Sequence, residues 1–190
     1  IGTEDGGAIA TYAKNMDNDF SLIFLRVDAQ GNELWRFENS TPYNVNEFVD
    51  LGDSTLIGVG GARNEMTGNS DIYLTRLDLA GNVLWEKTFS RELDGSQQSI
   101  TATLDGNNFV AGSYWNGPFL GKLNAAGDLL WTQDYSNRGT GAFAKAVLAA
   151  PDGGAYLGCQ YRTLTNDTDF FLIKTDSNGV SLTSEVMGTL

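Results

Sequence analysis

The chain contains no histidine, one cysteine and three prolines, and sets only 12 Lys and Arg against 24 Asp and Glu, for a formal net charge of −12 over 190 residues. Each scarcity excludes something. Without histidine there is no Ser-His-Asp or Cys-His catalysis, no imidazole-bound zinc, and no side chain whose unperturbed titration falls near neutrality. Cys159 alone forms neither an intrachain disulfide nor a cysteine-only metal site. The shortage of cations argues against binding nucleic acid, which requires clustered Lys and Arg, and against anionic membrane surfaces. No apolar run approaches the roughly 18 residues of a membrane-spanning helix, so membrane insertion is not expected. The opening IGTEDGG has no charged n-region followed by an apolar stretch and reads as mid-domain sequence, as in a fragment or a chain whose leader has been removed.

What is abundant is glycine, 23 residues of it, within a composition that is 41% apolar and long enough to bury a core. Self-similarity organises the chain. VDAQGNELW ending at Trp35, LDLAGNVLW at Trp85, LNAAGDLLW at Trp131 and TDSNGVSLT at Thr183 recur about 50 residues apart. A second motif keeps step with the first: EDGG at Asp5, LGDS at Asp53, LDGN at Asp105 and PDGG at Asp152. Two motifs in register across the whole chain define four repeats, with blade boundaries near residues 1–40, 41–91, 92–137 and 138–190 of a single domain or fragment.

Within each repeat the pattern is that of strands: short runs rich in β-branched and aromatic residues, broken by Gly, Asn and Asp. A first strand is expected over 44–50, 99–104 and 143–149. After the Asp-Gly turn comes a second strand of small residues (AIATYA, LIGVGG, FVAGSY, AYLGCQY), then a third (SLIFLRVD, IYLTRLD, FLGKLN, FFLIKTD). The fourth follows an Asp-x-x-Gly turn and carries the tryptophan (ELWRFE, VLWEKTF, LLWTQDY), with SLTSEV departing in repeat four. Four antiparallel strands per repeat, four times over, predict an all-β fold, a β-propeller of four-stranded blades. Gly31, Gly81, Gly127 and Gly179 sit where a hairpin needs positive φ, and Gly58, Gly112 and Gly158 where a strand must admit a bulky neighbour. None belongs to a phosphate-binding loop.

The repeat resembles those of the PQQ-like, quinoprotein-dehydrogenase-like propeller superfamily, whose motif is roughly AxDxxTGxxxW; Gln30, Ala80 and Ala126 stand here in place of its Thr. The DGG and GNxxW pattern is similar to repeats of secreted bacterial polypeptides. The resemblance implies that Trp35, Trp85 and Trp131 lie on the outermost strand of each blade and dock on the neighbouring blade, with a weaker junction at Thr183. It also implies that the strand before DGG is innermost. Repeat one then keeps only Ile1, Gly2 and Thr3 of its inner strand while repeat four is complete, which suggests a larger propeller of about six to eight blades, completed by further blades or another chain; the alternative is a compact four-bladed ring with a gap or a partner strand at blade one. The vicinal cysteines, the catalytic Asp beside calcium and the basic residues around the quinone of PQQ enzymes find no matching constellation, so neither catalytic nor cofactor-binding residues are assigned.

The connections are asymmetric. Turns between strands one and two and between strands three and four are short and alike. The stretches at residues 14–19, 62–71, 114–117 and 162–169, and the connections from one blade to the next, are longer and differ among repeats, which places a variable, loop-rich surface at one end of the propeller. Near it the second strands end in Tyr12, Tyr114 with Trp115 and Asn116, and Tyr161, residues suited to stacking on sugar rings or to recognising a peptide; the alternative is that these rings pack between blades. Asp17 with Asp19 and Asp167 with Asp169 offer calcium-type oxygens, yet no DxDxDG loop is present, and Asp19, Asp71 and Asp169 recur at the start of the third strand as if bonding backbone amides locally. No metal site is therefore assigned. Arg26, Arg76, Lys122 and Lys174 recur at one strand position, which points to a charge pair or turn contact, and Cys159 reads as a buried thiol. The expected role is a non-enzymatic binding module of a secreted or surface bacterial protein, extracellular or periplasmic, with a protein or glycan partner. The alternatives are a structural spacer, or part of a carbohydrate-active propeller.

Overall fold

The computed structural model describes residues 1–16, 19–39, 43–64, 66, 68, 70–94, 96–114, 117–135, 142–162 and 168–182. Every element is a strand, and each sheet is assembled from strands consecutive in the chain. The first sheet is β1 (Ala8–Met16), β2 (Asp19–Val27) and β3 (Glu33–Asn39). The second is β4 (Tyr43–Asp50), β5 (Thr55–Arg63), β6 (Ser70–Asp78) and β7 (Val83–Asp94). The third comprises β8 (Ser96–Ala102), β9 (Asn108–Tyr114), β10 (Gly117–Leu123) and β11 (Leu129–Asp134). The fourth holds β12 (Ala142–Ala149), β13 (Ala155–Arg162) and β14 (Thr168–Lys174). All pairings are antiparallel, which gives a meander in each blade and a propeller overall.

Blade one has the inner-strand remnant that the repeat pattern implies. Ile1 and Ile9 exchange backbone hydrogen bonds, Gly2 bridges Ala8, and Thr3 holds its turn as Thr103 does in blade three. In blade four the outer strand begins at the Thr175–Ser181 bridge; residues 183–190, with Thr183, lie outside the described residues. Inner strands meet across blades: the Ile100 amide donates to Glu47 Oε2 at 3.0 Å and the Val147 amide to Ser99 Oγ at 3.1 Å.

Burial follows from this stacking. Between blades one and two lie Leu22, Phe24, Val45, Tyr73 and Leu77; between two and three, Ile57, Val59, Leu74, Ile100 and Val110; between three and four, Phe109, Leu120, Leu157, Cys159 and Ile173. Each large apolar side chain so buried contributes about 1.5–3 kcal/mol. A strand covered on both faces needs no polar alternation, so β6 and β10 are buried almost throughout, whereas β14 alternates exposed and buried. The outer strands bulge one residue before each tryptophan, which leaves Leu34, Leu84 and Leu130 unpaired and half exposed.

The tryptophans are on the outer strands and reach the next blade. Gly81, Gly127 and Gly179 have φ of +90°, +77° and +79°, and a Cβ at each would fall 3.1, 2.5 and 2.7 Å from the rings of Trp35, Trp85 and Trp131 respectively. These glycines serve twice, giving the hairpin its left-handed residue and the preceding blade's indole a flat seat. Trp35 Nε1 also donates to the Leu79 carbonyl at 3.0 Å.

Three sequence expectations are corrected. Gly58, Gly112 and Gly158 are not equivalent: counted from the Asp-Gly turn, Gly158 falls one place out of phase with Gly112 and faces the opposite way. A Cβ at Gly58 or Gly112 would strike Phe48 or Phe119 at 2.6–2.7 Å, but Gly158 has nothing within 4 Å because it lies on the uncovered side of blade four. The loops of the variable end are also shorter than the sequence suggests. The β1–β2 ladder runs out to Met16 opposite Asp19 and the β9–β10 ladder to Tyr114 opposite Gly117. One connection between blades is short as well, β7 ending at Asp94 and β8 beginning at Ser96, whereas β11 ends at Asp134 and β12 begins at Ala142.

Candidate functional site

The two ends of the propeller are built by different chemistry. At the tight-turn end each recurring cation clasps the Asp of its own blade's Asp-Gly turn: Arg26 to Asp5 and Arg76 to Asp53 at 2.6 Å, Lys122 to Asp105 at 2.9 Å, Lys174 to Asp152 at 2.8 Å. The two motifs of each repeat are thereby joined. The arginines reach one blade further, Arg26 to the Leu79 carbonyl and Arg76 to that of Ala125, the latter at 2.9 Å. The carboxyls of Asp5 and Asp105 sit below the usual aspartate range, chiefly through the hydroxyls of Thr3 and Thr103 and further through their cations; Asp152 is lowered first by Lys174. In the neighbouring turns Asp28, Asp78 and Asp176 each accept two backbone amides. In blade three the residue types are exchanged but the acceptor position is kept, Asn124 accepting from the amide of Asp128. Much of the acidity is thus committed to the fold.

The opposite end carries the residues expected to bind. Trp115 and Asn116 lie outside the described residues, and Tyr114 is described only as the last residue of β9. Tyr12 and Tyr161 do not form one cluster. Tyr12 is 43% exposed on the side of blade one turned away from blade two, its hydroxyl 3.4 Å from Arg36 Nη1. Tyr161 is half buried against the cluster between blades three and four, edge-on to Phe171, and donates to Asp169 Oδ2 at 3.0 Å. That bond to a carboxylate, with burial second, raises the phenol above its ordinary range. Tyr161 is therefore a packing residue, while Tyr12 is available.

Asp71 and Asp169 are buried, and the bonds they make to described residues come from side chains, not from the backbone amides expected: Asn64 and Ser90 to Asp71 at 3.0 and 2.6 Å, Tyr161 to Asp169. A short side chain at a strand start is met by hydroxyls or a carboxamide from the flanking strands and the preceding connection. Among the calcium-type aspartates, Asp17 and Asp167 lie outside the described residues, and Asp169 is engaged by Tyr161. Among the described residues no group of three or more Cys, Asp or Glu gathers in a metal-binding arrangement.

Two further surfaces escaped the sequence reading. The positions that blades one to three bury against the next blade are open in blade four: Ile57 and Phe109 are fully buried where Tyr156 is 36% exposed, and Leu74 and Leu120 where Leu172 is 37% exposed. Phe170 and Leu148 extend this apolar patch. On blade one the side away from blade two exposes Tyr12 and Ala10. Gly31, the counterpart of Gly81, has φ +84° and nothing within 4 Å. The signal was present in FFLIKTD, apolar on both faces like IYLTRLD, but only the structure shows which face lacks its neighbour.

The fold has counterparts among solved structures. The chain is similar to the β-propeller domain of the Trilobed protease from Pyrococcus furiosus, described as having an open velcro topology, with a TM-score of 0.57 and 11% identity. That match covers 97% of this chain and 56% of the other, so this chain spans little more than half the length of the propeller it resembles. It is also similar to the GH43_1 enzyme from Xanthomonas citri complexed with xylose, with a TM-score of 0.51 and 13% identity over 90% of this chain and 71% of that one. At such identities the likeness is one of fold. No family model and no curated protein matches the sequence.

Proposed function

We infer that the chain is a non-enzymatic binding module, a relative of the PQQ-like propellers without their catalytic groups, and that it meets a protein or glycan through its variable end. The supporting observation is the division of labour between the two ends. Every blade repeats the cation–aspartate clasp and the Asx turns at one end, while the connections at the other differ in length and composition from blade to blade. Repetition is what a scaffold needs, and variation is what recognition needs. A secreted or cell-surface setting accords with the net acidity and the single thiol.

The test is a glycan array and a peptide-display screen with the wild-type chain and with Trp115→Ala, Tyr114→Ala, Asn116→Ala and Tyr12→Ala. Binding that at least one of these removes, with melting temperature unchanged, supports the reading. No ligand in either screen, or a ligand whose affinity all four variants keep, rejects it in favour of a structural spacer. The same preparation incubated with xylotriose addresses the competing carbohydrate-active reading, which release of xylose would favour.

A further inference from the structure

We propose that the open face of blade one is a docking surface for another blade of this repeat, one that carries a tryptophan at the position of Trp35, Trp85 and Trp131. Three junctions inside the chain share one construction. The outer-strand indole of one blade lies over the turn glycine of the next, as Trp35 over Gly81, Trp85 over Gly127 and Trp131 over Gly179. Apolar residues of the second and third strands meet behind it. Blade one presents the receiving half of this junction with its turn glycine uncovered among the described residues. Gly31 has the same left-handed backbone as the other three and an empty neighbourhood. Beside it Tyr12 and Ala10 are exposed, whereas Gly60 and Gly112, the counterparts of Tyr12, and Gly58 and Val110, those of Ala10, are buried.

The occupant is specified by what would fill that seat. A second copy of this chain would bring its own blade four, which has Thr183 where the indole is required; a threonine cannot cover a glycine seat shaped for a six-membered ring. The fitting partner is therefore a tryptophan-bearing blade, and the chain itself supplies a model of one. Residues 43–100 comprise blade two and most of the following inner strand. Thr103 makes the same turn bonds as Thr3, to its own turn aspartate by the hydroxyl and to the backbone across the turn, so residue 100 joined to Ile1 continues the inner strand in register and completes blade one.

The experiment adds a copy of residues 43–100 ahead of Ile1 in the full chain and compares melting temperature and tryptophan emission with the parent. Docking is expected to raise the melting temperature by about 5 °C or more and to shift indole emission to the blue. The same extension with Trp→Ala at the copied Trp85 position should lose most of that gain. Gly31→Asn is the decisive variant, because Asn tolerates positive φ yet fills the seat. It should leave the parent nearly unchanged and lower the melting temperature of the extended chain. An extension that melts with the parent, or whose gain survives both substitutions, overturns the proposal. So does a parent that forms a Gly31-dependent dimer, since the occupant would then be a second copy's blade four.

Discussion

Gly127→Ala and Gly31→Ala are the same chemical change at equivalent turns, and their difference isolates the worth of a docked indole. Both glycines have left-handed φ, +77° and +84°, so a Cβ costs each about 1 kcal/mol in backbone strain. At Gly31 that is the whole cost, and in a chain of this size it lowers the melting temperature by roughly 2–4 °C. At Gly127 the new Cβ would fall 2.5, 2.8 and 3.0 Å from three atoms of the Trp85 ring, so the indole must leave its seat. Trp85 is half buried against the cluster between blades two and three, with Lys87 5.5 Å above its ring centroid. Displacing it should cost about half of a full tryptophan truncation, or roughly 2 kcal/mol. Gly127→Ala is then expected to lose about 3 kcal/mol in total and roughly 6–12 °C. Calorimetry or urea titration of the two variants, of Trp85→Ala and of the Trp85→Ala/Gly127→Ala double variant completes the cycle. With the indole gone, Gly127→Ala should cost only the strain, leaving a coupling of roughly 2 kcal/mol. Equal losses at Gly127 and Gly31, or additive losses in the double variant, would refute the docking argument.

Three other outcomes follow from the same structure. Tyr161→Phe strips buried Asp169 of its phenolic donor and should destabilise by about 1–3 kcal/mol, read from the urea midpoint. Acid should act through Asp5, Asp105 and Asp152, whose folded carboxyls titrate below their unfolded range. Their stabilisation is complete above an ordinary aspartate pKa near ~3.9 and is lost as pH falls below it. Melting temperature should therefore hold from pH 7 to about 5 and drop below about 4, less steeply in Asp105→Asn. Cys159, buried between blades three and four, should resist a thiol reagent in the native chain and react at once in denaturant.

How much of this was legible in advance depended on repetition. The tryptophans, the turn glycines and the cation–aspartate partners recur in register, and recurrence turns a local pattern into a structural assignment; four copies of Arg or Lys two residues before Asp or Asn sufficed to expect a charge pair. Features that occur once were harder. Tyr12 and Tyr161 look alike in sequence and stand on equivalent faces of their blades, but blade three covers that face of blade four while Tyr12 on blade one stays exposed. Gly158 was misread because a shift of one residue reverses the face. The apolar end faces were hidden by the evenness of the repeats: FFLIKTD is as apolar as its counterparts in interior blades, and burial depends on a neighbour that the strand itself does not encode. The trimming of the variable end reflects backbone pairing, which side-chain pattern does not report.

The central claim is that one blade junction is used three times and left half-made at each end. Carbene footprinting with mass-spectrometric readout tests it directly, because each face has an internal counterpart. Tyr156, Phe170, Leu172 and Tyr12 should label heavily, while Ile57, Ile72, Leu74, Phe109 and Leu120, buried in the junctions, stay nearly unlabelled until the chain is denatured. Comparable labelling of Leu172 and its equivalents Leu74 and Leu120 would contradict the account.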